Sequence, residues 1–285
     1  MPAASTAFAD SPAADREFEM SPRDFDRVRR LIRERAGISL SPGKRNMVYS
    51  RLSRRLRVLG LQSFTDYLDG LEAAQAANSP EQVEFVNALT TNLTAFWREA
   101  HHFPILAEFL KKRSATGAGP LKLWCSAAST GEEPYTIAIT ARQAGVASAR
   151  LLATDIDTNV LEVAQRGVYA EDRVANVEPA VLRGYFLKNN KGQVKVRPEV
   201  AAMVEFQQLN LLDKRWSIQG PFSVIFCRNV MIYFDKPTQY EVLARLAALL
   251  EPGGLLFAGH SENFTAAKDL LRPLGRTVYE RMPAA

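Results

Sequence analysis

Cysteine is nearly absent: Cys125 and Cys227 are the only two in 285 residues. Two thiols make no disulfide framework, so a reducing compartment, the cytoplasm, is the expected setting. Histidine is almost as scarce, with only His101, His102 and His260. The adjacent pair does not share a helix face, so no metal site is expected. No apolar run approaches the roughly 20 residues of a membrane span. The most apolar stretch, from Val242 to Leu250, is short and contains Arg245, so direct membrane insertion is not expected. A Gly-x-Gly-x-x-Gly loop is also missing, which removes the main sign of a dinucleotide site. With 47% apolar and 24% charged residues, the chain has the make-up of a globular protein with a real core. Residues 1–20, rich in Ala, Ser, Pro and Asp, read as a disordered tail.

Charge is unevenly placed. The chain carries +5 overall, but residues 21–60 hold twelve Arg and Lys against Asp24, Asp26 and Glu34. That segment is +9 and the rest is −4. A basic module of this kind suits an acidic partner, or else decorates solvated helix faces.

The same segment is helical in pattern. Ser21-Pro22-Arg23-Asp24 is a helix start, with an N-cap serine, proline at the first position and an acid in the first turn. Phe25, Val28, Leu31 and Ile32 follow at helical spacing, and Gly37 is a stop. Ser41-Pro42 opens a second helix with Lys44, Arg51, Arg54 and Arg55 on it. Shorter helices are expected near 63–74 and 80–90. Residues 21–90 therefore read as an all-α N-terminal domain.

From 91 onward the rhythm changes. A helix is expected over 98–113, then strands at Leu121–Cys125, Arg150–Thr154, Phe222–Cys227 and Leu255–Ala258, with helices between them. This alternation implies an α/β domain with a parallel sheet over 91–285. Residues 184–209 interrupt it. Tyr185–Leu187, Gln193–Val196 and Val204–Phe206 read as the strands of a small antiparallel insert around Asn189-Asn190-Lys191-Gly192.

Ligands of such sheets sit at the carboxyl ends of the strands. The loop from Ser126 to Gly131 is small-residued and leads into Glu132-Glu133 at a helix start. A pyrophosphate there would meet like charge, although helix N-termini normally favour phosphate. A cationic ligand without phosphate fits better, and S-adenosylmethionine is one. Alternatively, both glutamates only complement the helix dipole. Asp155, at the next strand end, is suited to ribose hydroxyls. Asp157 reads as a helix cap. Asn210, Arg228 and Asn229 suggest a polar pocket wall. Cys125 and Cys227 end strands and read as buried apolar residues.

Together these stretches resemble the bacterial chemotaxis receptor methyltransferases, the CheR family. The resemblance rests on Thr91–Glu99, the loop Ser126–Pro134, Asp155-Ile156-Asp157, Asn210-Leu211-Leu212, Phe226–Phe234 and Gly259–Asn263, in that order, and runs from about Ser21 to Met282. It implies a Rossmann-like class I methyltransferase domain with a small antiparallel β-subdomain, preceded by the all-α domain. It implies methyl transfer from S-adenosylmethionine to glutamate side chains of chemoreceptors, leaving S-adenosylhomocysteine and a methyl ester. By matching position, Asn92, Thr94, Arg98, Glu133, Asp155, Asn210, Leu211, Arg228 and Asn229 would bind the donor. Arg98 would also orient the acceptor carboxylate, and Tyr233 would line its side. Arg51, Arg54 and Arg55 would dock the receptor's acidic methylation region. The loop Asn189–Gly192 is shorter and poorer in glycine than expected of members that hold a receptor's tether peptide, so weak or absent tether binding is expected. A monomer that does not bind nucleic acid is expected. The rival readings are a nucleic-acid methyltransferase and a non-catalytic S-adenosylmethionine-binding regulator.

Overall fold

The computed structural model describes residues 16–73, 79–117 and 119–282. It divides the chain into two compact units. The first runs to Leu31 and resumes over Leu40–Leu89; the second takes Ile32–Ser39 and everything from Thr90.

The first unit contains helix α1 (Pro22–Ala36, whose last turn belongs to the second unit), α2 (Arg45–Leu59), α3 (Phe64–Ala73) and α4 (Pro80–Leu89). The start of α1 is a reciprocal cap. Asp24 N–H donates to Ser21 Oγ at 3.0 Å, and Ser21 N–H donates to Asp24 Oδ2 at 3.0 Å, which satisfies two otherwise orphaned donors. Val28, Val48, Leu52, Leu56, Phe64, Leu68 and Phe85 are buried. Residues 1–15 of the expected tail lie outside the described residues, but its end at residue 20 needs correcting. Phe18 and Met20 are buried, and Phe18 meets Phe64 edge-on at 6.3 Å. Two large apolar side chains gain more from the core than a free tail would.

The basic excess of this unit is also largely spent within it. Arg27 pairs with Asp69 and Glu72, Arg30 with Glu72, Arg57 with Glu17, and Arg55 with Glu81 and Glu84. Apart from Glu17, the acids in these pairs follow residue 60 and answer cations before it.

The second unit is built on a seven-stranded sheet, β1 (Lys122–Cys125), β2 (Arg150–Asp155), β6 (Val204–Gln208), β7 (Phe222–Cys227), β8 (Leu250–Ala258), β9 (Leu271–Gly275) and β10 (Val278–Arg281), in the order β6-β2-β1-β7-β8-β10-β9. The first five pair in parallel, and β10 is antiparallel to both its neighbours. Helices α5 (His102–Ala115), α6 (Glu132–Gln143), α7 (Thr158–Arg166), α8 (Pro179–Tyr185), α9 (Pro198–Ala201) and α10 (Lys236–Leu249) connect it. Side chains alternate between two buried faces. Leu123, Cys125, Val224, Phe226 and Phe257 belong to one apolar cluster, and Trp124, Ile225, Cys227, Leu256 and Ala258 to the other. Continuous burial of this kind is what a sheet covered on both sides requires.

The small sheet differs from the expected insert. Its strands are β3 (Val168–Ala170), β4 (Phe186–Lys188) and β5 (Gln193–Val196), in the antiparallel order β3-β5-β4. Val204–Gln208 is instead the parallel edge of the main sheet, beside β2. The expected helix start at residue 98 also moves, to His102. Trp97 (φ 53°) and Glu99 (φ 54°) sit in the left-handed region, which no continuous right-handed helix can contain.

Candidate active site

The strand order reverses between β1 and β7: from β1 the chain builds outward through β2 and β6, and from β7 through β8. A crevice at such a switch point is the usual ligand position in open α/β sheets. The strand ends and loops at β1, β2 and β7 carry Glu133, Asp155, Arg228 and Asn229, Asn210 and Leu211 follow β6, and Asn92, Thr94 and Arg98 precede α5.

Gly131 starts α6 at φ +96°. A Cβ there would lie 2.8 Å from the Tyr169 hydroxyl and 2.9 Å from Ala164 Cβ, so the turn needs glycine for both its backbone and its space. The two glutamates that follow have separate partners. Glu132 is held by Arg173 and by Thr130 Oγ1 at 2.6 Å. Glu133 accepts from Arg228 Nη1 at 2.5 Å and from the Cys125 thiol at 3.4 Å. Burial pushes the Glu133 carboxyl up, and the Arg228 guanidinium opposes that rise.

Arg228 is only 4% exposed. Besides Glu133, its Nη2 donates to the Arg98 carbonyl at 2.7 Å and lies 3.3 Å from Glu99 Oε2. Its Nε has no hydrogen-bond partner among the described residues. Glu99 is held below the ordinary carboxylate range. Burial works against this, but the Arg228 charge and hydrogen bonds from His260 N–H and Asn229 outweigh it.

Asp155 ends β2 at 8% exposure. Its carboxylate accepts from Ser129 N–H at 2.8 Å and Asp157 N–H at 3.0 Å. Burial nevertheless pushes it up to about 6. Asp157 caps α7 through Asn159 N–H and also accepts from Thr90 Oγ1 (2.7 Å) and Asn92 Nδ2 (2.6 Å). Asn92 is thereby fastened to the β2 loop, and its carbonyl accepts from Ser129 Oγ at 2.9 Å.

The remaining expected site residues are occupied in other ways. Asn210 donates to the Arg35 carbonyl at 2.7 Å and accepts from Leu212 N–H at 2.9 Å, so both ends of its amide are engaged by backbone. Leu211 is buried in the apolar cluster with α10. Thr94 is half-buried, and its carbonyl accepts from Arg173. Arg98 Nη1 donates to the Leu93 carbonyl at 2.7 Å. Tyr233 is half-buried and packs on the α10 side.

Glu99, His101 and His102 do bring ligand atoms within 4.8 Å of one another, because residues 99–101 are a turn and not a helix. His102 is kept neutral. Burial first, then the Arg228 charge, push it down to about 4. The guanidinium 3.3 Å from the same Glu99 oxygen would repel a divalent cation at that spot.

Two residues of this site carry no role in the sequence reading, Glu99 and Asp157 as a clamp for Asn92, and neither does Glu262 beside it. Glu262 lies in the loop after β8, and an acid in a loop that follows an apolar strand was the available signal.

The donor set also bears on the ligand. The α6 N-terminus is faced by carboxylates, which disfavours phosphate, and the acid at the β2 end suits hydroxyl donors. These residues fit S-adenosylmethionine. The chain matches the family model "CheR methyltransferase, all-alpha domain" over residues 23–90 and "CheR methyltransferase, SAM binding domain" over 92–279.

The chain belongs to the CheR methyltransferase family.

Its relatives agree over most of its length. The chemotaxis protein methyltransferases of Klebsiella aerogenes and Salmonella typhimurium are each 53% identical over 266 residues, covering 91% of this chain and 90% of theirs. Chemotaxis protein methyltransferase 2 of Pseudomonas aeruginosa is 50% identical over 271 residues, covering 93% and 95%. As a CheR-family methyltransferase, the chain uses S-adenosylmethionine as its methyl donor. Among the described residues, no helix is long and apolar enough to cross a membrane.

Proposed function

We propose that this chain methylates the side-chain carboxylates of specific glutamates on the cytoplasmic region of chemoreceptors, forming methyl esters that adapt the sensory response. The observation that carries this reading is the engagement of both site acids. Asp155 accepts two backbone N–H groups and Glu133 is paired with Arg228, which commits both carboxylates to holding the pocket and leaves neither oriented toward an acceptor as a general base. A hydroxyl or amine acceptor needs a base. A glutamate, with a pKa near 4.3, is already ionised at neutral pH and needs none. Relatives at half identity are chemotaxis methyltransferases, which favours this acceptor over a nucleic acid.

S-adenosylmethionine supplies a methyl on a positively charged sulfur. The chain's residues bind, align and exclude water. Asp155 accepts from the ribose hydroxyls, Glu133 lies on the methionine side, and Arg228 Nε offers a donor to the methionine carboxylate. Asn92, Thr94 and Asn229 complete the wall, with Asn210 and Leu211 acting through their backbone. Arg98 orients the incoming carboxylate and Tyr233 lines its path.

Docking is assigned to α2. Of the three arginines expected to dock, Arg54 is exposed, Arg51 donates to the Ala88 carbonyl, and Arg55 is paired with Glu81 and Glu84. Arg54→Glu therefore isolates the docking role. It is expected to weaken receptor binding about three- to tenfold, the scale of one partly screened charge, with unchanged affinity for S-adenosylhomocysteine. Calorimetry with receptor fragment and nucleoside checks both, and unchanged receptor binding would remove Arg54 from the docking face. The hairpin Asn189–Gly192, closed on the Asn189 side chain, is proposed to bind receptor tether peptide weakly or not at all.

The reaction itself is tested by transfer of a tritiated methyl group. Label on receptor protein that leaves as methanol in mild alkali supports the ester. Alkali-stable label, label on nucleic acid, or no transfer at all would overturn it.

A further inference from the structure

Glu262 lies outside the donor site and has no part in the chemistry above. It is 4% exposed, in the loop after β8. Its carboxylate accepts four backbone N–H groups. Oε2 takes Asn229 at 2.9 Å and Gly259 at 2.6 Å, and Oε1 takes Val230 at 3.0 Å and Met231 at 2.8 Å. Three of the four belong to the loop that leaves β7. That loop begins with Arg228 and Asn229 and ends in the short helical turn Met231–Tyr233.

The backbone there needs holding. Asn229 has φ 58°, a conformation that costs a non-glycine residue free energy. Its amide N–H, with the next two, points inward, where an unpaired donor is costly. A Cβ on Gly259 would come within 2.8 Å of Asn229 N, so the β8 loop is in close contact with the β7 loop at this point. Only an ionised carboxylate, with two oxygens and lone pairs for four donors, satisfies all of them.

We propose that Glu262 is a positioning residue for methyl transfer: it folds the Arg228–Tyr233 loop over the end of β7, and so sets both the donor wall at Arg228 and Asn229 and the acceptor-side turn that ends at Tyr233. The inference rests on the donor-site reading given above. Glu262→Gln keeps the shape but turns an NH2 toward two of the four amides in either orientation, which leaves donor facing donor.

The test is calorimetry with S-adenosylhomocysteine on the full chain, beside thermal melting, for Glu262→Gln and Asn229→Ala. Glu262→Gln is expected to raise the Kd at least about tenfold, the worth of two lost charge-assisted bonds shared with the loop, at a temperature where the protein is still folded. A purely structural residue would lower the melting point and the active fraction, and the folded molecules would bind as before. If Asn229→Ala weakens binding and Glu262→Gln leaves the Kd within about twofold, well under the tenfold that one 1.4 kcal/mol step represents, the proposal fails. If Asn229→Ala itself has no effect, the donor-site reading fails. Should Glu262→Gln not fold, hydrogen exchange on the wild-type chain decides. The amides of Asn229, Val230 and Met231 are expected to be protected without any nucleoside bound, and exchange at the rate of open loop amides would overturn the proposal.

Discussion

Arg228→Met is expected to end methyl transfer and to cost about 3–5 kcal/mol of folding stability, the scale of a broken buried ion pair. The guanidinium pairs with buried Glu133 at 2.5 Å and half-buried Glu99 at 3.3 Å, and it also donates to the Arg98 carbonyl. Methionine fills the volume but leaves Glu133 buried with only a thiol donor. Burial already raises that carboxyl, so without the arginine it is driven neutral. The Arg98 turn loses its anchor at the same time. Arg228→Lys keeps the charge but cannot reach three acceptors with one ammonium, and it should fall between. Thermal melting should show a drop of roughly 6–20 °C for the methionine variant, and calorimetry with S-adenosylhomocysteine should show no binding. A methionine variant that melts like wild type would mean that the network carries no net energy.

Asp155→Asn is expected to weaken nucleoside binding about 10- to 100-fold, the worth of one or two hydrogen bonds to a charged acceptor. Its effect on stability has the opposite sign. The carboxyl is pushed up to about 6 from its ordinary 3.8, so its ionisation in the folded state is penalised. That penalty grows as pH rises from about 3.8 to 6 and is relieved on acidification. Between pH 7 and 5 the wild type should therefore lose nucleoside affinity while this group's contribution to stability rises. The asparagine variant should show neither change from this group. Calorimetry and melting at the two pH values separate the effects, and a pH-independent wild-type Kd would remove Asp155 from the ribose position.

The parts of this molecule that follow local rules were legible in the sequence. The strand Phe222–Cys227, the Ser21 cap and the Asp157 cap are each set by a few neighbouring residues, and so is the acid at the end of β2. Where distant segments decide, sequence pattern was silent. Val204–Gln208 alternates like a strand of either sheet, and only its parallel pairing with β2 assigns it. Arg55 reads as a free basic residue until α4 brings Glu81 and Glu84 beside it. The Arg228–Glu133 pair joins residues far apart in the chain. Glu262 is one acid in a loop until four amides are seen to converge on it. The resemblance to a family supplied the proposed donor residues, but not the contacts that hold them.

The two thiols have a consequence of their own. Cys125 and Cys227 end adjacent strands, yet belong to the opposite clusters on either side of the sheet, and both are fully buried. Burial pushes both thiols up, which withholds the reactive thiolate. Peroxide therefore has no intrachain bridge to make, and alkylating dyes must wait for the molecule to open. The rate at which such a dye reacts becomes a clock for global unfolding, already built into the natural chain.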